Sequence, residues 1–179
     1  MSNAIEERIA ANDWSGARRL IRAALRREPD SHWLLARIGL TYYEERRYAH
    51  ALRWSERALA RAPRCPLVLW EYAGDLQQLG RHREALRVYS GLVRRGVDSI
   101  AHGPCGEGLR WARGLVADAL YRQAIVYIAL GQRRRARTSL EDHLSLRGPG
   151  CASAYPVRQV RRELQTLCGE SSGRRSRAA

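Results

Sequence analysis

The feature that most constrains this chain is a step of 34 residues. Leu35, Ile38, Gly39, Tyr42, Ala51, Ser55 and Ala58 are followed 34 positions later by Leu69, Tyr72, Ala73, Leu76, Ala85, Tyr89 and Leu92, with bulky, small and aromatic types largely kept in register. Backwards, Ala17, Ile21, Ala24 and Pro29 fit the second half of a unit whose first helix is cut short by the start of the chain. Forwards, Leu120, Gln123, Ala124, Tyr127, Gly131, Ala136 and Leu140 fit again after a step of 51, so about 17 extra residues intervene, placed at Gly96 to Arg113. A fixed period of this length marks stacked supersecondary units and not one globular core.

Within a unit the pattern predicts two helices that cross closely. Gly39, Ala73 and Ala124 carry little bulk where the first helix meets Ala51, Ala85 and Ala136 of the second, which lets the backbones approach. Each pair hides only part of its apolar surface, so neighbours stack, and the last pair needs a lid with a polar outer face. Pro156 suits a helix start, and Val157, Val160, Leu164 and Leu167 then form one stripe beside Arg158, Arg161, Arg162 and Glu163, which predicts that cap.

These positions resemble the tetratricopeptide repeat (TPR), whose signature reads W-x2-L-G-x2-Y, then A-x3-F, then P. The resemblance covers residues 1–148, with Leu35 and Leu69 in place of the signature tryptophan. It implies an all-α chain, a right-handed α-α superhelix (TPR solenoid) of about four helical hairpins with a C-terminal capping helix. The expected organisation is a truncated TPR unit at 1–31, units at 32–65 and 66–95, an insertion at 96–113, a further unit at 114–148, the cap at 149–168 and a disordered basic tail at 169–179.

The resemblance also implies a concave groove lined by first helices. Carried over by position, its partner-binding residues would be Trp33, Arg37, Leu40, Tyr43, Trp70, Gln77, Tyr121 and Ile125, with Ala36, Leu67, Gly74 and Ile128 alongside. Trp and Tyr in a concavity are anchors of interfaces, since each buries much area at little entropic cost. The competing expectation is that the insertion or the cap folds into this groove and fills it. The family's chaperone-tail clamp is not implied: Ala36, Leu40, Trp70 and Gly74 stand where its cationic and amide groups would be, and Arg37 alone could meet a carboxylate.

The formal charge is +14, and every basic residue counted in it is arginine, for the chain contains no lysine. Phosphate binding would tolerate both cations, so this choice reads as compositional bias as much as selection. Most arginines fall on second helices or their leading turns. Arg133, Arg134, Arg135 and Arg137 continue that back surface and form the candidate nucleic-acid face, weighed against a merely solvated one.

Other chemistry finds little footing. His102, Cys105 and Glu107 in the Gly-rich insertion lack an orienting third group, and such loops commonly just turn, so no catalytic residue and no enzyme activity are expected. A phosphate loop needs a lysine. His32, His50, His82 and His143 are isolated, and Cys65, Cys105, Cys151 and Cys168 show no paired spacing, so neither a metal nor another cofactor is expected. Residues 114–131 form the most apolar stretch, but Asp118 and Arg122 interrupt it, so no membrane span is expected. The amino terminus shows no basic or apolar leader region, and the expected location is the cytoplasm. The functional expectation is a scaffold or adaptor that binds a peptide or partner protein in the groove, with an arginine-rich nucleic-acid-associated protein as the alternative.

Overall fold

The computed structural model describes residues 2–148 and 151–175, with side chains described through Cys168. The described residues are helical throughout their regular structure: α1 (Ser2–Ala10), α2 (Trp14–Leu25), α3 (His32–Glu44), α4 (Tyr48–Arg61), α5 (Pro66–Gln78), α6 (His82–Arg95), α7 (Val97–Ala101), α8 (Leu109–Ala129), α9 (Arg133–Leu146) and α10 (Val157–Arg175). Among them no helix is long and apolar enough to cross a membrane. The chain divides into two compact units, 1–84 and 85–179.

The repeat is written into the backbone as well as the side chains. Left-handed residues close the first helix of each hairpin at Asn12, Arg46, Gly80 and Gly131, with φ of 58°, 59°, 73° and 71°, at steps of 34, 34 and 51. Each turn carries the same pair of bonds. Arg46 N–H reaches Tyr43 O at 2.8 Å and Arg47 N–H reaches Tyr42 O at 2.9 Å, just as Gly80 and Arg81 bond back to Gln77 and Leu76, and Gly131 and Gln132 to Ile128 and Tyr127. This arrangement satisfies the carbonyls orphaned at a helix end. Glycine adopts the conformation freely, whereas Arg46 holds it against a steric cost of about 1 kcal/mol.

In the first unit, Ile5, Ala17, Ile21, Ala24, Leu34, Ile38, Tyr42 and Ala51 form one core joining α1 to α4. Leu35, Ala36, Ala58, Cys65 and Val68 form a second joining α3, α4 and α5. The expected close crossing is present: a Cβ on Gly39 would stand 3.4 Å from Trp54 Cβ and 3.5 Å from the Ala51 carbonyl oxygen. Starts are capped locally, with Asp13 Oδ1 accepting Gly16 N–H at 2.8 Å and Pro66 in the first turn of α5.

In the second unit α8 starts at Leu109, within the stretch expected to be insertion, and it is buried nearly all round, from Ala112 to Val126. A helix without a polar face must be covered on every side. Short α7 and then α9 pack on it, and Tyr121, Ala124, Ala136, Leu140, Val160 and Leu167 form a core with α9 and α10. Helix α10 begins just after Pro156 and continues through Arg175, past the point where a disordered tail was expected. Once Val160 and Leu167 are anchored, each further residue adds one backbone bond to an existing helix. The remainder of that expected tail, 176–179, lies outside the described residues.

Candidate partner-binding faces

On the first unit, α3 and α5 present the side chains expected to line a groove. Trp33 and Tyr43 rest one side on the α1–α4 core and stay half-buried, as do Leu40, Trp70 and Gln77. The Tyr43 hydroxyl accepts a bond from Gln78 Nε2 at 3.1 Å, and its ring meets Tyr48 edge-on at 5.3 Å. Two expected neighbours are not groove residues: Ala36 is 1% exposed, packed with Ala58, Cys65 and Val68, and Gly74 is buried.

Arg37 also departs from expectation. It is not a spare cation awaiting a ligand carboxylate, because Nη2 already lies 2.7 Å from Glu71 Oε1 and Nη1 lies 3.8 Å from Glu6 Oε1. Burial pushes the Glu71 carboxyl above its ordinary pKa, the Arg37 guanidinium pulls it back, and Glu6 adds a second negative charge. The three residues link α1, α3 and α5 across one face of the unit.

On the second unit the corresponding face is filled by the chain itself. Tyr121 is only 5% exposed; its ring stacks on Tyr155 at 4.0 Å and its hydroxyl accepts Gln159 Nε2 at 2.7 Å. Ile125 and Ile128 pack against the core shared with α10. Tyr121 is therefore covered and not an open groove residue, while Ile125 stays half-buried against that core. The reason is connectivity: the segment before α10 and the helix itself are tethered beside α8 and bring an aromatic ring and an amide to it.

Three buried polar groups lie outside the expected site residues. Asp118 accepts the Ser153 hydroxyl and, at 3.1 Å, the Ala154 N–H; burial raises its pKa while these two donors lower it. Its signal was visible as the acid interrupting the most apolar stretch. Asp75 is 3% exposed, accepts the Ser55 hydroxyl at 2.6 Å, and is pushed up to about 7 by burial, with Glu71 and Glu56 raising it further and Ser55 lowering it. His143 is a packing residue: at 0% exposure its Nδ1 bonds the Ala117 carbonyl at 2.7 Å, and burial lowers its pKa.

The arginine face is exposed at Arg134, Arg135 and Arg137 and half-buried at Arg133. Arg135 donates to Gln132 Oε1 at 3.0 Å and lies 5.9 Å from the Tyr127 ring, and Arg137 pairs with Glu141 at 2.8 Å. Residues 131–135 rim a shallow depression. In the insertion, His102 Nδ1 engages the Asp98 carbonyl at 3.0 Å, Cys105 is exposed with φ 59°, and a Cβ on Gly106 would collide with the Ile100 and Ala101 carbonyls. That is the chemistry of a tight turn. In the first unit His32 and buried Cys65, isolated in sequence, bring ligand atoms within 4.8 Å of each other.

A family model of the tetratricopeptide repeat matches residues 118–142, from within α8 to within α9. Among solved structures, a tetratricopeptide repeat protein from Parabacteroides merdae aligns with a TM-score of 0.65 at 20% identity, over 94% of this chain and 59% of its own. MamA protein aligns with a TM-score of 0.60 at 16% identity, over 80% of this chain and 69% of its own. A double mutant described as MamA RS-1 aligns with 0.65 at 14%, over 98% and 94%. At these identities the likeness is one of fold. No curated protein matches this sequence. The all-α fold, the turn repeated in phase and the matched unit show a tetratricopeptide repeat fold.

Proposed function

We propose that this chain is a protein-interaction scaffold that holds a peptide or partner protein on the α3 and α5 face of its first unit. The observation that carries the reading is that Trp33, Leu40, Tyr43, Trp70 and Gln77 keep part of their surface open, while the α8 counterpart of Trp70, Tyr121, is buried beneath Tyr155. Half-buried aromatics held by a packed core bind at low entropic cost, since the side chain is already ordered before the partner arrives. The fixed Arg37–Glu71 pair adds rigidity and a rim of charge. The scaffold reading needs no catalytic residue and no cofactor.

The test is partner capture from the native host with and without nuclease. Trp33→Ala, Tyr43→Ala and Trp70→Ala should each reduce capture at least tenfold while helicity by circular dichroism is kept; undiminished capture by all three would overturn the groove. The alternative, a nucleic-acid-associated protein, is favoured by the arginine rim at 131–135. If it holds, capture depends on nucleic acid and ignores these aromatics.

A further inference from the structure

Residues 151–155, between α9 and α10, lie against α8 as a non-helical segment that bends at Ala154 and Tyr155, and their exposure alternates: Cys151, Ser153 and Tyr155 are half-buried while Ala152 and Ala154 are exposed. One edge of the segment therefore faces the helix. The α8 residues that receive it are Gly114, Asp118, Tyr121 and Arg122, spaced four, three and one, which places them on one helix face.

Each makes a different kind of contact. A Cβ on Gly114 would collide with the Ala152 carbonyl, so only glycine lets the segment's backbone sit this close. The two Asp118 oxygens divide the work, Oδ1 taking the Ser153 hydroxyl and Oδ2 the Ala154 N–H at 3.1 Å. Tyr121 stacks on Tyr155 with ring planes 23° apart, and the Arg122 guanidinium lies 5.6 Å from the same Tyr155 ring. The closing of the core between α8, α9 and α10 comes from Val160 and Leu167, so Ala152, Ser153 and Ala154 are not needed for it.

A helix face with a backbone slot, a carboxylate aimed at a main-chain amide and an aromatic shelf is suited to a short non-helical peptide. We infer that residues 152–155 are an intramolecular occupant of this face, and that a partner peptide of the same chemistry binds α8 by displacing them. That chemistry is a short non-helical segment with a small residue at the glycine and a hydroxyl residue two positions before an aromatic. The inference rests on the peptide-scaffold reading and adds a second site that is closed in cis. Tethering gives the occupant an effective concentration on the order of millimolar, so a ligand in trans competes against it.

The experiment uses a capped synthetic peptide of residues 151–156 as probe and the full chain carrying Ser153→Gly and Tyr155→Ala, which disarms the occupant and leaves α8 unaltered. Fluorescence anisotropy should show the probe binding this variant at least tenfold more tightly than the wild type, and adding Asp118→Ala should remove the gain. Equal affinity for both chains, with helicity retained, would overturn the inference. Should the variant lose helicity, hydrogen exchange on the unmodified chain decides: the Ala154 amide should exchange at least tenfold faster than that of Ala124, because the segment opens without unfolding the unit. Equal protection would show it inseparable from the fold. Neither result bears on capture by Trp33, Tyr43 and Trp70, so the two readings fail separately.

Discussion

Tyr121 and Ile125 on α8 occupy the same register positions as Trp70 and Gly74 on α5 and as Ala36 and Leu40 on α3. Their surroundings nonetheless differ. On the first unit the large side chains of this face remain half-buried, and the charged Arg37 is held by Glu71 and Glu6. On the second, a non-helical segment and a following helix pack on the face, and Tyr121 is buried beneath Tyr155. Register thus decides which side chains point to a face, while the neighbouring chain decides whether that face is open.

The sharpest way to probe the contrast is pH, because Asp75 is buried in the first unit and His143, together with Asp118, in the second. Asp75 has a folded pKa of about 7 against an ordinary 3.8, so the folded first unit binds the proton more tightly than the unfolded chain does. Its stability is greatest below about pH 4 and falls as pH rises toward 7, by roughly 4 kcal/mol at most. Asp75→Asn should flatten that decline in urea midpoints measured from pH 4 to 8; an unchanged slope would reject Asp75 as its source. The second unit should lose stability toward acid through His143, whose folded pKa lies below 6.5, so that the unfolded chain takes up the proton first.

A smaller effect separates the two faces directly. Tyr121→Ala removes a buried ring with its stacking partner and should destabilise the protein by about 3 kcal/mol in chemical denaturation. Tyr43→Ala, half-buried, should cost about 1 kcal/mol and act on capture instead. Similar losses for both would mean that the faces are equally structural. The smallest effect is expected on the arginine face, where Arg134→Glu with Arg135→Glu should change stability by no more than about 0.5 kcal/mol. The same variant should leave the salt dependence of partner binding unaltered, and a flattened salt slope would move function to this face.

The hairpins were legible because their causes are local. A 3.6-residue period, small residues at crossings and a turn residue near each first-helix end can be read a few positions at a time, and Gly80 and Gly131 marked turns that the backbone repeats at Asn12 and Arg46. The candidate site was less legible. Arg37 looked available because Glu71 is 34 residues away, and Asp118 looked like an interruption because its partners Ser153 and Ala154 are 35 and 36 residues on.

The sequence by itself determined the all-α hairpins, their phase and the slip of 17 residues in their spacing, since these follow from periodic burial and turn geometry along the chain. Only the tertiary structure decided that Arg37 is already paired, that Asp75 is buried against Ser55, and that residues 152–155 lie on α8. Those outcomes depend on contacts between segments far apart in sequence and on whether a buried charge finds a donor. A repeat pattern encodes the packing of neighbouring helices and carries no record of either.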